Sequence, residues 1–199
     1  MHLKNKNFLV SVLVIMLSGC VTTELPDASQ HYNPNESARI RLFGQNGRPS
    51  IMVVQIGQGA DAKSVEVNVG GGLGDAFGSL LRMSKNESIG IAETESTRNL
   101  ASRDGILSKA FYREFVIPAG KRVEVRNAFI GLTNVDSNPA TGRTIVQWQG
   151  NCTSDTVFFT PQAGKDYEVG FIDAKTCTAM VFEVQTIGGE TTLAPIQAQ

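Results

Sequence analysis

The chain has 199 residues, room for one domain of about 100–200 residues with an anchor or tail left over. At 41% hydrophobic and 19% charged, it has the composition of a globular protein that can bury a core. A formal net charge of -1, with no basic block anywhere, sets aside an electrostatic nucleic-acid binder.

Lys4 and Lys6, with no acid among them, precede residues 8–17, an apolar run broken only by Ser11. As a helix that run would span about 15 Å, against roughly 30 Å of bilayer hydrocarbon. It is too short to be a stable membrane span and fits the apolar region of a secretory signal behind a basic start. Leu17-Ser18-Gly19-Cys20 comes next. This stretch resembles the lipobox of bacterial lipoproteins, in which small residues precede the acylated cysteine. The resemblance implies removal of residues 1–19 and a diacylglyceryl thioether on Cys20, which becomes the acylated mature N-terminus. The competing reading is an ordinary signal peptide with an incidental cysteine. Processing would remove Lys4 and Lys6 from the 18 basic residues, leaving 16 against 19 acids and a net charge of -3. Val21 stands where retained inner-membrane lipoproteins often carry Asp. The family's sorting rule therefore implies the outer membrane, with the domain facing the periplasm. Three acyl chains, each worth roughly 0.8 kcal/mol per buried CH₂, would anchor it durably.

Residues 20–37 read as a lipidated N-terminus and flexible tether, polar and carrying Pro26 and Pro34. A chain of that length reaches about 20–25 Å. His31, the one histidine left after processing, falls in this tether. The domain is expected over residues 38–187. ARIRLF at 38–43 alternates, with Ile40 and Leu42 on one face and Arg39 and Arg41 on the other. The Asn46-Gly47 turn signal and the apolar SIMVVQI at 50–56 then predict a hairpin. KSVEVNV at 63–69 places Val65, Val67 and Val69 together. Two later stretches, 113–130 and 155–172, both run strand, Pro, Ala-Gly-Lys, strand. They predict two hairpins with Gly120 and Gly164 where a permissive backbone is needed. RTIVQWQ at 143–149 and AMVFEV at 179–184 add strands, and residues 188–199 read as a loose tail.

The middle differs. Residues 70–85 are glycine-rich and then roughly helical, with Phe77, Leu80 and Leu81 at one-face spacing. Residues 86–112 form a long polar stretch, part loop and part short helix, and long loops in compact domains are where sites are sought. The fold expected is therefore mainly β: an antiparallel β-sandwich, transthyretin- or immunoglobulin-like, with a short helical insertion around residues 74–110.

Few constellations carry chemistry. With Cys20 lipidated, Cys152 and Cys177 are an even pair in an exported chain, which favours a disulfide over free thiols or a metal site. If 155–160, 166–172 and 178–184 made a meander, an intervening strand would hold the cysteines ~9–10 Å apart, beyond the ~7 Å reach of a bridge. The loops must close that gap, or the strand order must differ. A lone histidine on a tether cannot build a histidine triad, Ser-x-x-Lys is absent, and zinc lacks ligands. NVGGGLGDAFG lacks the Gly-x-Gly-x-x-Gly spacing of a nucleotide cradle. NVDSNPATG has Asn134, Asp136 and Asn138 at alternate positions but Pro139 and Ile145 where a calcium loop wants Gly and Glu, so it reads as an Asx-rich turn. No cofactor or metal is implied. Arg98, Arg103, Asp104 and Arg113, with Glu114, make a candidate interaction surface for an anionic ligand or partner; the plainer reading is a solvated loop with ordinary ion pairs.

ARIRLFGQNG at 38–47 and TRNLASRDGILSKAFYREFVIPAG at 97–120 resemble blocks of small uncharacterised outer-membrane lipoproteins of Gram-negative bacteria. The resemblance extends from Ala38 to about Val184 and implies an envelope location and a β-rich periplasmic domain; it supplies no catalytic residues. In architecture only, the expected fold is similar to the transthyretin-like sandwich of the secretion-system lipoprotein TssJ. The function expected is binding or structural support at the outer membrane, with a membrane contact through the lipid and an envelope protein as partner. Two alternatives are an accessory subunit of an envelope or secretion assembly and a hydrolase acting through carboxylates such as Glu93, Glu95 and Asp104.

Overall fold

The computed structural model describes residues 31–71, 85–105, 108–131, 133–138, 140–148, 150–171 and 177–197. Cys20 and the helical reading at Phe77, Leu80 and Leu81 lie outside the described residues. Twelve strands account for about half of the described chain: β1 (Ser37–Gly44), β2 (Ser50–Ile56), β3 (Lys63–Val69), β4 (Phe111–Pro118), β5 (Val123–Phe129), β6 (Thr133–Asn138), β7 (Arg143–Trp148), β8 (Cys152–Thr153), β9 (Val157–Phe159), β10 (Asp166–Val169), β11 (Val181–Ile187) and β12 (Glu190–Pro195). Among the described residues of the expected helical insertion there is a single α-turn, α1 (Glu95–Arg98), followed by a 3-10 turn at Leu100–Arg103. Thr94 caps α1: its hydroxyl accepts from the Thr97 amide, while the Thr97 hydroxyl accepts from the Thr94 amide.

Two five-stranded sheets form the body. The first runs β12-β11-β10-β1-β4; the second runs β3-β2-β5-β8, with β9 also pairing on β5. Strand periodicity explains the core between them. Ile40 and Leu42 of β1 face Met52 and Val54 of β2, the valines at 65, 67 and 69, Val123 and Val125 of β5, and Phe159, Tyr167 and Val169, all in one buried cluster. At roughly 25 cal/mol per Å² of apolar surface withdrawn from water, this cluster is the main source of stability. The pattern is that of a β-sandwich. One pairing departs from an all-antiparallel arrangement: β1 and β10 run parallel, Arg39 opposite Asp166 and Arg41 opposite Glu168.

The expected hairpins are the larger correction. Gln45 and Arg48 do close a tight turn around Asn46-Gly47, but β1 and β2 are not partners; they belong to different sheets. The Pro-Ala-Gly-Lys stretch at 118–121 and the Pro-Gln-Ala-Gly-Lys stretch at 161–165 behave the same way: β4 leads to β5, and β9 to β10, from one sheet to the other. Gly120 and Gly164 take φ of 71° and 77°, the left-handed backbone that these reversals need. The two turns also touch, because the Gly120 amide donates to the Pro161 carbonyl at 2.8 Å. Turn chemistry reverses the chain; it does not choose between pairing the flanking strands edge to edge and stacking them face to face.

Residues 155–184 are accordingly no meander, since β9 lies in the second sheet while β10 and β11 are neighbours in the first. This order places Cys152, on β8, beside Cys177, on the approach to β11, with Cα atoms 6.1 Å apart. That is inside the roughly 4.4–6.8 Å span of a disulfide and links the two sheets. Residues 190–195, expected to be part of a loose tail, are a strand: Gly188-Gly189 make a two-residue turn, and β12 pairs along β11. The Asx-rich stretch at 134–138 is likewise mostly strand rather than turn, since β6 pairs with β7 from Thr133 to Asn138.

Two glycines let the sheets approach closely where β1 and β3 end. A Cβ on Gly44 would stand 2.6 Å from the Val69 carbonyl oxygen, and one on Gly70 would stand 2.6 Å from the Gln45 amide nitrogen. Backbone cannot give way as a side chain can. Gly44→Ala is therefore expected to destabilise the domain by about 1–3 kcal/mol through overpacking. Urea unfolding checks this, and an unchanged midpoint would contradict the close approach.

Candidate functional site

The outer face of the first sheet carries the most unusual chemistry. Strand alternation puts Arg39, Arg41 and Phe43 on the side of β1 away from the core, a side normally left to water. Here β1 is buried on both faces except at Arg39, which is half-buried. Residues 85–94 lie over it. The Arg41 side chain is 1% exposed, and those of Glu114 and Glu168 are 0% exposed.

The register pairs the charges. Arg41 stands directly opposite Glu114 on β4 and Glu168 on β10. Its Nη2 and Nε donate to Glu114 Oε1 at 2.6 and 2.9 Å, and its Nη1 donates to Glu168 Oε2 at 2.8 Å. Nη2 also reaches the carbonyls of Ile91 and Ala92 at 3.0 and 3.1 Å. The second oxygen of Glu114 is wrapped by a short strap of backbone: the Ser88 hydroxyl and the amides of Ile89, Gly90 and Ile91 all donate to it, at 2.6–3.2 Å. Consecutive amides aimed at one anion form a nest. The Thr94 hydroxyl donates to Glu168 Oε2 at 2.7 Å, while Glu168 Oε1 has no hydrogen-bond partner among the described residues. One row further along, Arg39 makes a two-pronged bond to Asp166 at 2.7 and 2.8 Å and stacks on Tyr32, 4.5 Å from its ring centre. The Asp166 bond holds the Arg39 guanidinium above its usual pKa.

An aromatic chain leads outward from this cluster. Arg41 lies 5.0 Å from the centre of Tyr112, which meets Phe43 edge-on at 6.1 Å. Phe43 stacks on Phe171 at 4.4 Å, and the exposed Arg103 covers Phe171 at 4.5 Å. Leu100 and Ala110 bury against Phe43 in a second small core.

The candidate surface of Arg98, Arg103, Asp104 and Arg113 resolves into separate tasks. Arg98 is exposed in the last turn of α1. Arg103 stacks on Phe171, while Asp104 accepts from the Ala110 amide at 2.8 Å. Arg113 pairs with Glu87 at 2.6 Å, and Glu114 is buried in the charge cluster. The carboxylates considered for hydrolysis fare similarly: Glu93 and Glu95 are exposed on either side of the inward-turned Thr94. Two recesses bear on that reading. One, of about 250 Å³, is lined by Asp104, Gly105, Ser108 and Lys109. The other, broad and about 970 Å³, lies at the end where the tether enters; Glu36, Gln58, Gly120 and Gln162 are among its lining residues. Each contains a single carboxylate, where a two-carboxylate hydrolase needs a facing pair. Among the described residues no group of three His, Cys, Asp or Glu side chains could hold a metal. His31 is exposed at the start of the described chain.

Sequence reasoning missed the buried cluster. The signal was nevertheless present: Arg39-x-Arg41 on one strand and Asp166-x-Glu168 on another share an i, i+2 spacing, as cross-strand ion pairs require. Comparison with known protein families, curated proteins and solved structures finds no match.

Proposed function

We propose that this chain is an outer-membrane lipoprotein, anchored through Cys20, whose periplasmic β-sandwich works by binding or structural support rather than catalysis. The observation that carries the reading is the run Leu17-Ser18-Gly19-Cys20 behind a basic start and a ten-residue apolar segment. The sandwich supplies support of three kinds. The cysteine pair suits an oxidising compartment. The tether joins at Ser37, whose carbonyl accepts from the Gly164 amide at 2.9 Å, so the anchor leaves from the end bearing the 119–122 and 160–165 turns. The opposite end, with Asp104, Gly105, Ser108 and the cysteine pair, then points into the periplasm towards an envelope protein partner. No pair of carboxylates faces another across either recess among the described residues, which weighs against a hydrolase.

Cys20→Ala should abolish lipid labelling and release the protein from membranes into the soluble envelope fraction. A variant that still pelleted with membranes would sink the anchor. An accessory-subunit role is the second reading; crosslinking in intact envelopes, with one specific protein captured through the 104–110 end, would favour it.

A further inference from the structure

We propose that residues 85–94 are a latch: a strap that opens as a unit from the outer face of the first sheet while the sandwich stays folded. Three observations carry this. First, the strap is held by polar contacts almost alone. Its hold on the sheet edge is short and polar: the Glu87 amide donates to the Tyr112 carbonyl at 3.0 Å, the Glu87 carbonyl accepts from the Glu114 amide at 2.9 Å, the Asn86 side-chain oxygen accepts from the Tyr112 amide at 3.2 Å, the exposed Glu87 carboxylate pairs with Arg113, and the Ile89 carbonyl accepts from Arg39 at 3.2 Å. The next contacts are the four donors converging on Glu114 Oε2, the two carbonyls on Arg41, and Thr94 on Glu168. Second, its apolar share is small: residues 85–90 are exposed, Ile89 at 38%, and only Ile91 among its larger apolar side chains is buried. Third, what the strap covers is three charges and an unsatisfied carboxylate oxygen, Glu168 Oε1, rather than apolar surface.

The energetics follow from that third point. Lifting an apolar cover exposes oil to water with nothing in return. Lifting this cover breaks hydrogen bonds but returns Arg41, Glu114 and Glu168 to water, and the hydration that buried ions regain is comparable in size to the bonds given up. Water also reaches Glu168 Oε1. The strap is therefore a low-cost cooperative unit to open, as locally opening segments are. Beneath it, Ile40, Leu42 and Phe115 remain sealed between the sheets. The open state presents an unpaired stretch of β4 edge, the Tyr112 carbonyl and the Glu114 amide, beside an arginine flanked by two carboxylates. The closed state hides all of these.

Hydrogen exchange of the full chain, read at single amides, tests the latch. The Ile89, Gly90 and Ile91 amides should exchange at least ten-fold faster than those of Ile40 and Leu42, with little dependence on denaturant. Ser88→Ala removes one donor to Glu114 without touching the core, and should speed strap exchange by about ten-fold while leaving the core amides unchanged. Glu114→Gln, if it folds, should act in the same direction and more strongly. Equal strap and core rates in the unmodified chain, or a Ser88→Ala variant that accelerates both alike, would overturn the proposal, because the strap would then open only when the whole domain unfolds.

Discussion

Arg41→Ala is expected to destabilise the domain by about 3–5 kcal/mol. Glu114 and Glu168, each 0% exposed, would be left facing each other in the interior with their shared cation gone. A domain of this size is typically stable by only about 5–15 kcal/mol, so the loss is a large share of the total. It should appear as a fall of roughly 10–15 °C in the thermal midpoint. The informative control is the triple variant Arg41→Met, Glu114→Leu and Glu168→Leu, which removes every charge together. Because desolvation offsets much of the attraction within a buried ion cluster, the triple variant should lie well above Arg41→Ala and near the unmodified protein. A single variant within about 1 kcal/mol of the unmodified domain would show that the two carboxylates reach water, either in the closed cluster or by opening of the 85–94 strap, rather than staying buried.

Cys177→Ser should cost about 3.5 kcal/mol by the loop-closure relation for a separation of 25 residues. The link runs from β8 at the edge of the second sheet to the approach to β11 in the first, so its loss also frees the sheets to separate at that end. Cys177 is also the one non-glycine residue among those described with positive φ, at 48°, a backbone conformation that the link helps to hold. Urea midpoints with and without reductant measure the effect. The unmodified chain should weaken on reduction and the serine variant should not respond. Two alkylatable thiols in the untreated protein would refute the pairing.

What the sequence made legible is what local alternation and turn chemistry encode. The inward faces of β1 and β3 were readable from period-two patterns, the turns at Gly120 and Gly164 from their residue types, and the partnership of Cys152 with Cys177 from the even cysteine pair. Sheet membership was not. Asn-Gly and Pro-Ala-Gly-Lys specify a reversal, and the same reversal serves a hairpin or a crossing between layers. The Gly188-Gly189 signal was present but followed by ETTLAP, whose one large apolar residue, Leu193, hid a strand that pairs only at the edge. The proline that ends it, Pro195, belongs on such an edge because no ladder bond is lost there. The buried arginine was hidden for a different reason. ARIRLF has the alternation of a half-exposed strand, and Arg41 is enclosed only because residues 85–94, some fifty positions away, fold over it. Burial of that kind is a tertiary property. Only the matching spacing of Arg39 and Arg41 with Asp166 and Glu168 foreshadowed it.

That cluster orders the outer face of the sandwich, and under the proposed anchor the tether would set which end meets the membrane. Both bear on function only if the chain is anchored where its first twenty residues indicate. Mass analysis of the N-terminal peptide from protein purified out of intact envelopes is the most direct measurement. The account predicts that this peptide begins at Cys20 and carries a thioether-linked diacylglyceryl group with an acylated amine. A peptide that retains residues before Cys20, or one that begins at an unmodified cysteine, would contradict it.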